Sequence, residues 1–336
     1  MRGVGAAPPT VTAFALLLAT AAPAPARAAG PTSVEQARQA AAQVSFEGVL
    51  DVLWSDGGAT RTQRLTVEAA DGNLLVLGPN RVMARSPFER LVARNGRGWD
   101  EVWLPGVGPG ARPDGGGKYR IADLADGPVV AGRPTRTVEI SEHDVVRERM
   151  YLDTATALLL RRDQYDAGGG VARTMAFETL AVRPPSPAIA APRSPAHHAP
   201  QPVPAGRVAS AGAPDGLDDG YRRLGVFRTG DALHVLYSDG LYDLSVFQQG
   251  GRLRRSDLPP SGDRVAVGRA TGWRYAWAGG QLVVWAAKGR VFTAVSDAPV
   301  DQLLHAVRSL PELPARRTSL AAKLRRACQA MMDPLA

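Results

Sequence analysis

Nine prolines fall between positions 184 and 214, at 184, 185, 187, 192, 195, 200, 202, 204 and 214, with alanine, serine, histidine and glycine filling most of the gaps. Each proline fixes φ and removes a backbone donor, so neither a helix nor a central strand can run through such a stretch. Its few apolar side chains cannot offset the entropy of ordering it. The stretch therefore reads as a semi-extended spacer that divides the chain and lets the two parts change relative position. A length of 336 residues suits two domains joined in this way. His197 and His198 lie in the spacer and read as solvated, because a metal site needs more ligands held rigidly.

Before the spacer the chain reads mainly as strands. A helix is predicted over 33–42 (SVEQARQAAA), capped by Thr32 or Ser33. Segment 46–54 (FEGVLDVLW) then puts Phe46, Leu50, Val52 and Trp54 on one face at a period of two. Further strands are predicted at 64–68, 74–77, 81–85, 99–104 and 136–140, separated by Gly, Pro, Asp and Asn. Three more, at 146–153, 158–165 and 171–182, are joined by the turns DTAT and DAGGG. The pattern is an antiparallel meander with one or two helices.

After the spacer, strands are predicted at 233–236, 242–247, 265–269, 273–278, 281–286 and 290–296, with sharp reversals at 278–281 and 288–290. A helix over 298–309 (APVDQLLHAVRS) closes this part, with Leu303, Leu304 and Val307 at helical spacing. Trp273, Trp277 and Trp285 read as core or sheet-face residues. The segment LYSDGLYDLSVF at 236–247 is a turn feeding a half-buried strand, flanked by Tyr237 and Tyr242. It is built either to be held still or to be touched. The tail at 318–332 (TSLAAKLRRACQAMM) is an amphipathic helix candidate, with Leu320, Leu324, Ala327 and Met331 in one stripe. Such a helix docks on its own protein, on a partner or on an anionic membrane.

Arg2, the apolar run at 11–22 and the triplet Ala26-Arg27-Ala28 form the three parts of a secretory signal, with cleavage near Ala28. The run is short for a bilayer span, and no cysteine follows it to take a lipid. The expected location is extracytoplasmic, in a periplasm or an equivalent space. The sole cysteine, Cys328, cannot form an internal disulfide; burial against its own helix, pairing with another molecule and a free thiol all remain open. Net charge is +8, yet lysine occurs only at Lys118, Lys288 and Lys323, leaving 37 arginines scattered among acids. That skew fits GC-rich codon usage better than a nucleic-acid surface, and no nucleic-acid partner is expected.

Catalytic groupings are hard to find. His143, His234 and His305 are isolated, and no pair has zinc-ligand spacing. No G-x-S-x-G elbow and no cysteine nucleophile with a nearby base motif is present. Gly115-Gly116-Gly117-Lys118 lacks the spacing and the Ser/Thr of a phosphate loop and precedes a strand. Glu47, Asp51, Glu139 and Glu142 alternate along strands as a solvated face does. The expectation is a binding protein, with no cofactor and no metal.

Two stretches resemble the RseB/MucB family, extracytoplasmic regulators of an envelope-stress sigma factor. The first is MYLDTATALLLRRD at 150–163 followed by DAGGGV at 166–171 and MAF at 175–177, with SFEG at 45–48 similar to the family's aromatic-x-Gly opening. The second, more specific one is YSDGL at 237–241 with LSVF at 244–247. The resemblance covers most of 45–310. It departs at GLDDGY (216–221), in the longer spacer and in the basic tail.

The resemblance implies a mainly β, α+β chain. Residues 32–183 would form an unclosed antiparallel half-barrel with covering helices, like lipoprotein carriers, and 215–311 a smaller α/β partner-binding domain. The signal segment 1–28, the linker 184–214 and the basic tail 312–336 complete the order. It also implies a function. The second domain grips the extracytoplasmic part of a membrane anti-sigma factor and shields it from regulated proteolysis, and lipid or lipoprotein acyl chains in the first domain release it. For the lipid cavity the candidates are Leu50, Val52, Leu65, Val67, Leu75 and Leu77; for the partner, Tyr237, Asp239, Leu241 and Tyr242. The cavity residues read equally as packed core, and the tyrosines read slightly better as packing than as contact. The alternative is a lipid or lipoprotein carrier of the envelope, which needs only the first domain. Self-association stays open.

Overall fold

The structure is a computed structural model. It describes residues 32–70, 117–184, 202–204, 212–228 and 232–310 with their side chains, and the backbone at 73–78, 81–85, 90–95, 98–103, 201 and 229. The signal segment, most of the spacer with His197 and His198, the glycines at 115 and 116, and the tail with Cys328 lie outside the described residues.

Two antiparallel sheets carry the chain. The first has eleven strands: β1 (Ser45–Asp56), β2 (Ala59–Ala70), β3 (Asn73–Gly78), β4 (Arg81–Arg85), β5 (Arg90–Asn95), β6 (Gly98–Trp103), β7 (Arg120–Asp126), β8 (Thr135–Glu142), β9 (Val145–Asp153), β10 (Leu159–Tyr165) and β11 (Val171–Arg183). Their order is 6-5-4-3-2-1-11-10-9-8-7, so β6 and β7 are edges and the sheet does not close into a barrel. The second has eight: β12 (Gln201–Pro202), β13 (Arg222–Thr229), β14 (Ala232–Ser238), β15 (Asp243–Gly250), β16 (Asp263–Val267), β17 (Ala270–Trp277), β18 (Gly280–Ala287) and β19 (Arg290–Ser296), in the order 12-13-14-15-19-18-17-16. Helix α1 (Ser33–Gln43) precedes the first sheet and α2 (Val300–Arg308) follows the second.

Local chemistry explains several of these elements. Thr32 caps α1 in a reciprocal box: its hydroxyl accepts from Glu35 N at 3.2 Å, and its own N–H donates to the Glu35 carboxylate at 2.6 Å. Gly48 pairs with Leu180 of β11 beside a bulge between Val49 and Leu50, and a Cβ there would lie 2.2 Å from the Thr179 carbonyl oxygen. In the turn after β9, Asp153 accepts from Thr156 N at 2.9 Å, from its hydroxyl at 2.6 Å, and from both arms of Arg133 at 3.0 and 2.8 Å. This is why the LDTAT sequence reverses there.

Strands β5 and β13 were not expected, and of β7 only a strand following Lys118 was expected, without bounds. Their arginine- and aspartate-rich sequences (RLVARN, RIADLAD, RRLGVFRT) mask the period of two. The strand after YSDGL, expected to be half-buried, is instead covered on both faces: Leu244 and Val246 are fully buried and so is Ser245. It occupies the middle of its sheet, between β14 and β19. Trp285 is core, stacked on Phe292 at 5.1 Å between ring centres.

The two parts do not hang apart on the spacer. One apolar cluster joins Val34 and Ala37 of α1, Val138 and Ile140 of β8 and Met150 and Leu152 of β9 to Val235, Leu244 and Val283 of the second sheet and Leu303 of α2. Close packing of this kind resists relative sliding.

Candidate functional site at the seam between the sheets

Ser238 and Asp243 form the last pair between β14 and β15, and the four residues between them make the reversal. Asp239 Oδ1 accepts from the N–H groups of Leu241 and Tyr242 at 2.9 and 2.8 Å, while Ser238 Oγ donates to the Tyr242 carbonyl at 3.0 Å. Gly240 takes φ +97°, a conformation open to glycine. This local turn then reaches the other sheet. Asp239 Oδ2 accepts from Lys118 Nζ at 2.7 Å and from the Tyr119 hydroxyl at 2.5 Å, both just ahead of β7. Lys118 also donates to the Asp219 carbonyl at 2.7 Å and lies 3.5 Å from Glu142, whose other oxygen accepts from Arg147 Nε at 2.9 Å. The Tyr242 hydroxyl donates to the Arg147 carbonyl on β9 at 3.2 Å. Burial first, and the Asp239 charge second, hold the Tyr119 phenol far above its ordinary range.

Deeper in the seam lie four charged side chains: Glu148 on β9, Arg162 on β10, Arg173 on β11 and Asp297 just past β19, none more than 6 % exposed. Arg162 grips Glu148 with two bonds of 2.7 Å and reaches Asp297 Oδ2 at 3.4 Å. Arg173 donates to Gln164 Oε1 at 2.6 Å and to the Asp297 carbonyl at 3.1 Å. Asp297 Oδ1 accepts the backbone N–H of Asp243, the residue that ends the YSDGLYD reversal. Two acids and two bases cancel, which is the condition for charge to persist in such a place. Burial pulls Arg173 down to about 10, helped by the Arg162 charge. Burial alone would lower Arg162 too, but the Glu148 and Asp297 carboxylates more than reverse it.

Beyond this polar stripe the inner face of the first sheet is apolar. Leu50 pairs with Leu65 across β1 and β2, Gly48 pairs with Val67, and Leu50, Val52 and Val67 are buried with Phe46 and Met175 in one cluster that Leu65 flanks. The candidate cavity set divides here. Leu75 and Leu77 pair with Glu68 and Thr66, whereas Val67 pairs with Val76, so the register puts Leu75 and Leu77 on the opposite face from Leu65 and Val67. A one-residue slip in β3 exchanges the faces, and the sequence NLLVLG offers no alternation to fix it; the face-sharing residues are Leu74 and Val76.

The partner set is drawn together, but inside the molecule. Tyr237 and Tyr242 are fully buried, and Asp239 and Leu241 are 1 % and 3 % exposed. A partner could touch them only if the sheets separated. Sequence reasoning missed Lys118, Tyr119, Glu148, Arg162, Arg173 and Asp297. The available signal was parity: in MYLDTATALLLRRDQY and the strand before it, charges fall on both alternating sets, so one set must point inward. Among the described residues no group of three or more His, Cys, Asp or Glu is arranged to hold a metal, and no helix is long and apolar enough to cross a membrane.

Neither a family model nor a curated protein sequence matches the chain. Among solved structures it is similar to the MucA/MucB complex of Pseudomonas aeruginosa, at 19% identity over 84% of this chain and 98% of that one, with a TM-score of 0.48. It is similar to a crystal structure of MucB, at 19% identity over 82% and 95% of the chains and a TM-score of 0.46. A putative outer membrane lipoprotein-sorting protein domain from Vibrio parahaemolyticus matches at 14% identity over 45% and 91%, with a TM-score of 0.24.

Proposed function

We propose that the chain is an extracytoplasmic regulator that binds a membrane anti-sigma factor and shields it from regulated proteolysis, with a lipid-type ligand on the first sheet as the stress signal. The observation that carries this reading is the position of YSDGL, the motif with the more specific family resemblance. Its aspartate is bonded at once to its own turn and to Lys118 and Tyr119 of the other half. A carrier of lipids needs only the first sheet. A sensor needs ligand and partner to bias the same element, and the seam joins the sheet that carries the apolar face to the sheet that carries YSDGL, so both would act through it. The buried apolar face around Leu50, Val52, Leu65 and Val67 supplies chemistry for an acyl chain.

The test is affinity capture from envelope extract, using the tagged chain without residues 1–28 and identifying by mass spectrometry what is retained. Recovery of a membrane protein with a small cytoplasmic sigma-binding domain supports the regulator. Recovery of acylated lipoproteins or lipid alone makes the chain a carrier with an added sheet and ends the stress-signalling account.

A further inference from the structure

The edge of the second sheet is held by a piece of the proline-rich stretch. Strand β12 contributes only Gln201 and Pro202, paired with Arg228 and Phe227 of β13, and the next residue, Val203, donates its N–H to the Val226 carbonyl at 2.9 Å. Val203 and Val226 are thus a hydrogen-bonded pair, which makes Pro202 and Phe227 a non-bonded pair with the Pro202 nitrogen turned away from β13. The sequence repeats proline at 200, 202 and 204. The strap therefore keeps donors where β13 needs them and lacks one on its outer side, a way of closing an edge against further strands. It is also short: Pro202 and Pro204 are exposed and Val203 is only half-buried.

What lies under the strap is a usable strand edge. The preceding part of β13 is covered by the chain itself, through Arg223 N to the Asp215 carbonyl and Leu217 N to the Tyr221 carbonyl. At 226–228 the strap is the cover. Around it, Leu224 is 61 % exposed, and Arg222 and Arg228 are exposed with no carboxylate paired to either among the described residues. Such an edge suits an extended segment that adds as a strand and brings acidic side chains.

We propose that the β13 edge at 224–228 is a docking site for an extended acidic segment of a partner, and that the strap at 201–203 is a self-supplied strand which holds the 226–228 part of it until the partner displaces it. This deepens the binding-protein reading above by naming where and in what conformation the partner is held. The same chain supplies the competitor, so the partner's apparent affinity is lowered by the fraction of time the strap is seated.

The experiment locks the strap. In a Cys328→Ser background, Pro202→Cys with Phe227→Cys places two cysteines at a non-bonded antiparallel pair, the geometry a disulfide accepts. The probe is a fluorescein-labelled eight-residue peptide of alternating glutamate and valine, followed by anisotropy, with a lysine–valine peptide as control. The reduced double variant should bind the acidic probe, the oxidised one at least tenfold more weakly, and reductant should restore binding; the lysine–valine peptide should bind neither. Because the reduced protein is its own control, a folding defect cannot imitate this result. Equal binding by the oxidised and reduced forms, no binding by the reduced form, or equal binding of the two peptides overturns the proposal. None of these outcomes depends on the anti-sigma partner, whose absence from the affinity capture would instead overturn the regulator reading.

Discussion

Asp239 has two duties in the seam: one oxygen organises its own turn and the other receives a lysine and a tyrosine from the first sheet. Replacing it with alanine leaves Lys118 mostly buried without its closest counter-charge, and Asp239→Ala should lower the unfolding free energy by about 3–5 kcal/mol, measured by denaturant titration. Asp239→Asn, which keeps one acceptor oxygen, should cost distinctly less. The turn itself was legible from Ser-Asp-Gly, but its burial was not, because Lys118 stands 121 residues earlier and no local pattern announces that contact. His234 gives a second residue-scale test. It is fully buried on β14, stacked on Phe247 at 4.3 Å, and burial holds its pKa down to about 4. The folded protein keeps this imidazole neutral while the unfolded chain protonates it below 6.5, so its contribution is complete above 6.5 and is lost as pH falls toward 4. The loss amounts to about 3 kcal/mol, and His234→Phe should flatten the stability profile between those two pH values.

Among the elements, strict alternation made both a strand and its buried face legible, and an unbroken apolar run made only the strand legible. Segment 46–54 announced its buried face, and the structure buries Phe46, Leu50 and Val52 together. β3 has four apolar residues in its six-residue run, so its existence was legible and its register was not. The arginines of β13 concealed a strand whose Val226 is core. Gly48 shows how an element-level constraint reaches a single position: the bulged pairing of β1 with β11 leaves no room for a side chain. Gly48→Ala should therefore destabilise by about 1–3 kcal/mol through forced displacement of the β11 backbone, seen as a lower denaturation midpoint. The same substitution at Gly57, which meets no atom within 4 Å, brings only the strain of its φ of +57°, so a comparison of the two separates crowding from conformation.

At the level of the whole molecule, the proline-rich stretch suggested two independent parts, and the seam contradicts that independence. Composition reveals where a chain is hard to fold, not what the flanking parts do to one another; here they share an apolar core and a neutral set of four buried charges. Removing Asp297 leaves Arg173 and the Arg162–Glu148 pair with an excess buried positive charge, and Asp297→Ala should cost about 3–5 kcal/mol. The loss should not be confined to the second sheet, which carries the residue, because the charge it balances sits in the first. Native-state hydrogen exchange read by mass spectrometry tests this coupling most directly. In the wild-type chain, amides of β9 and β10 and those of β15 and β19 should exchange through one common slowest opening, and Asp297→Ala should accelerate both groups to the same extent. Separate opening energies in the wild type, with Asp297→Ala accelerating β15 and β19 while β9 and β10 keep their protection, would contradict the claim that the seam makes one cooperative unit of the two sheets.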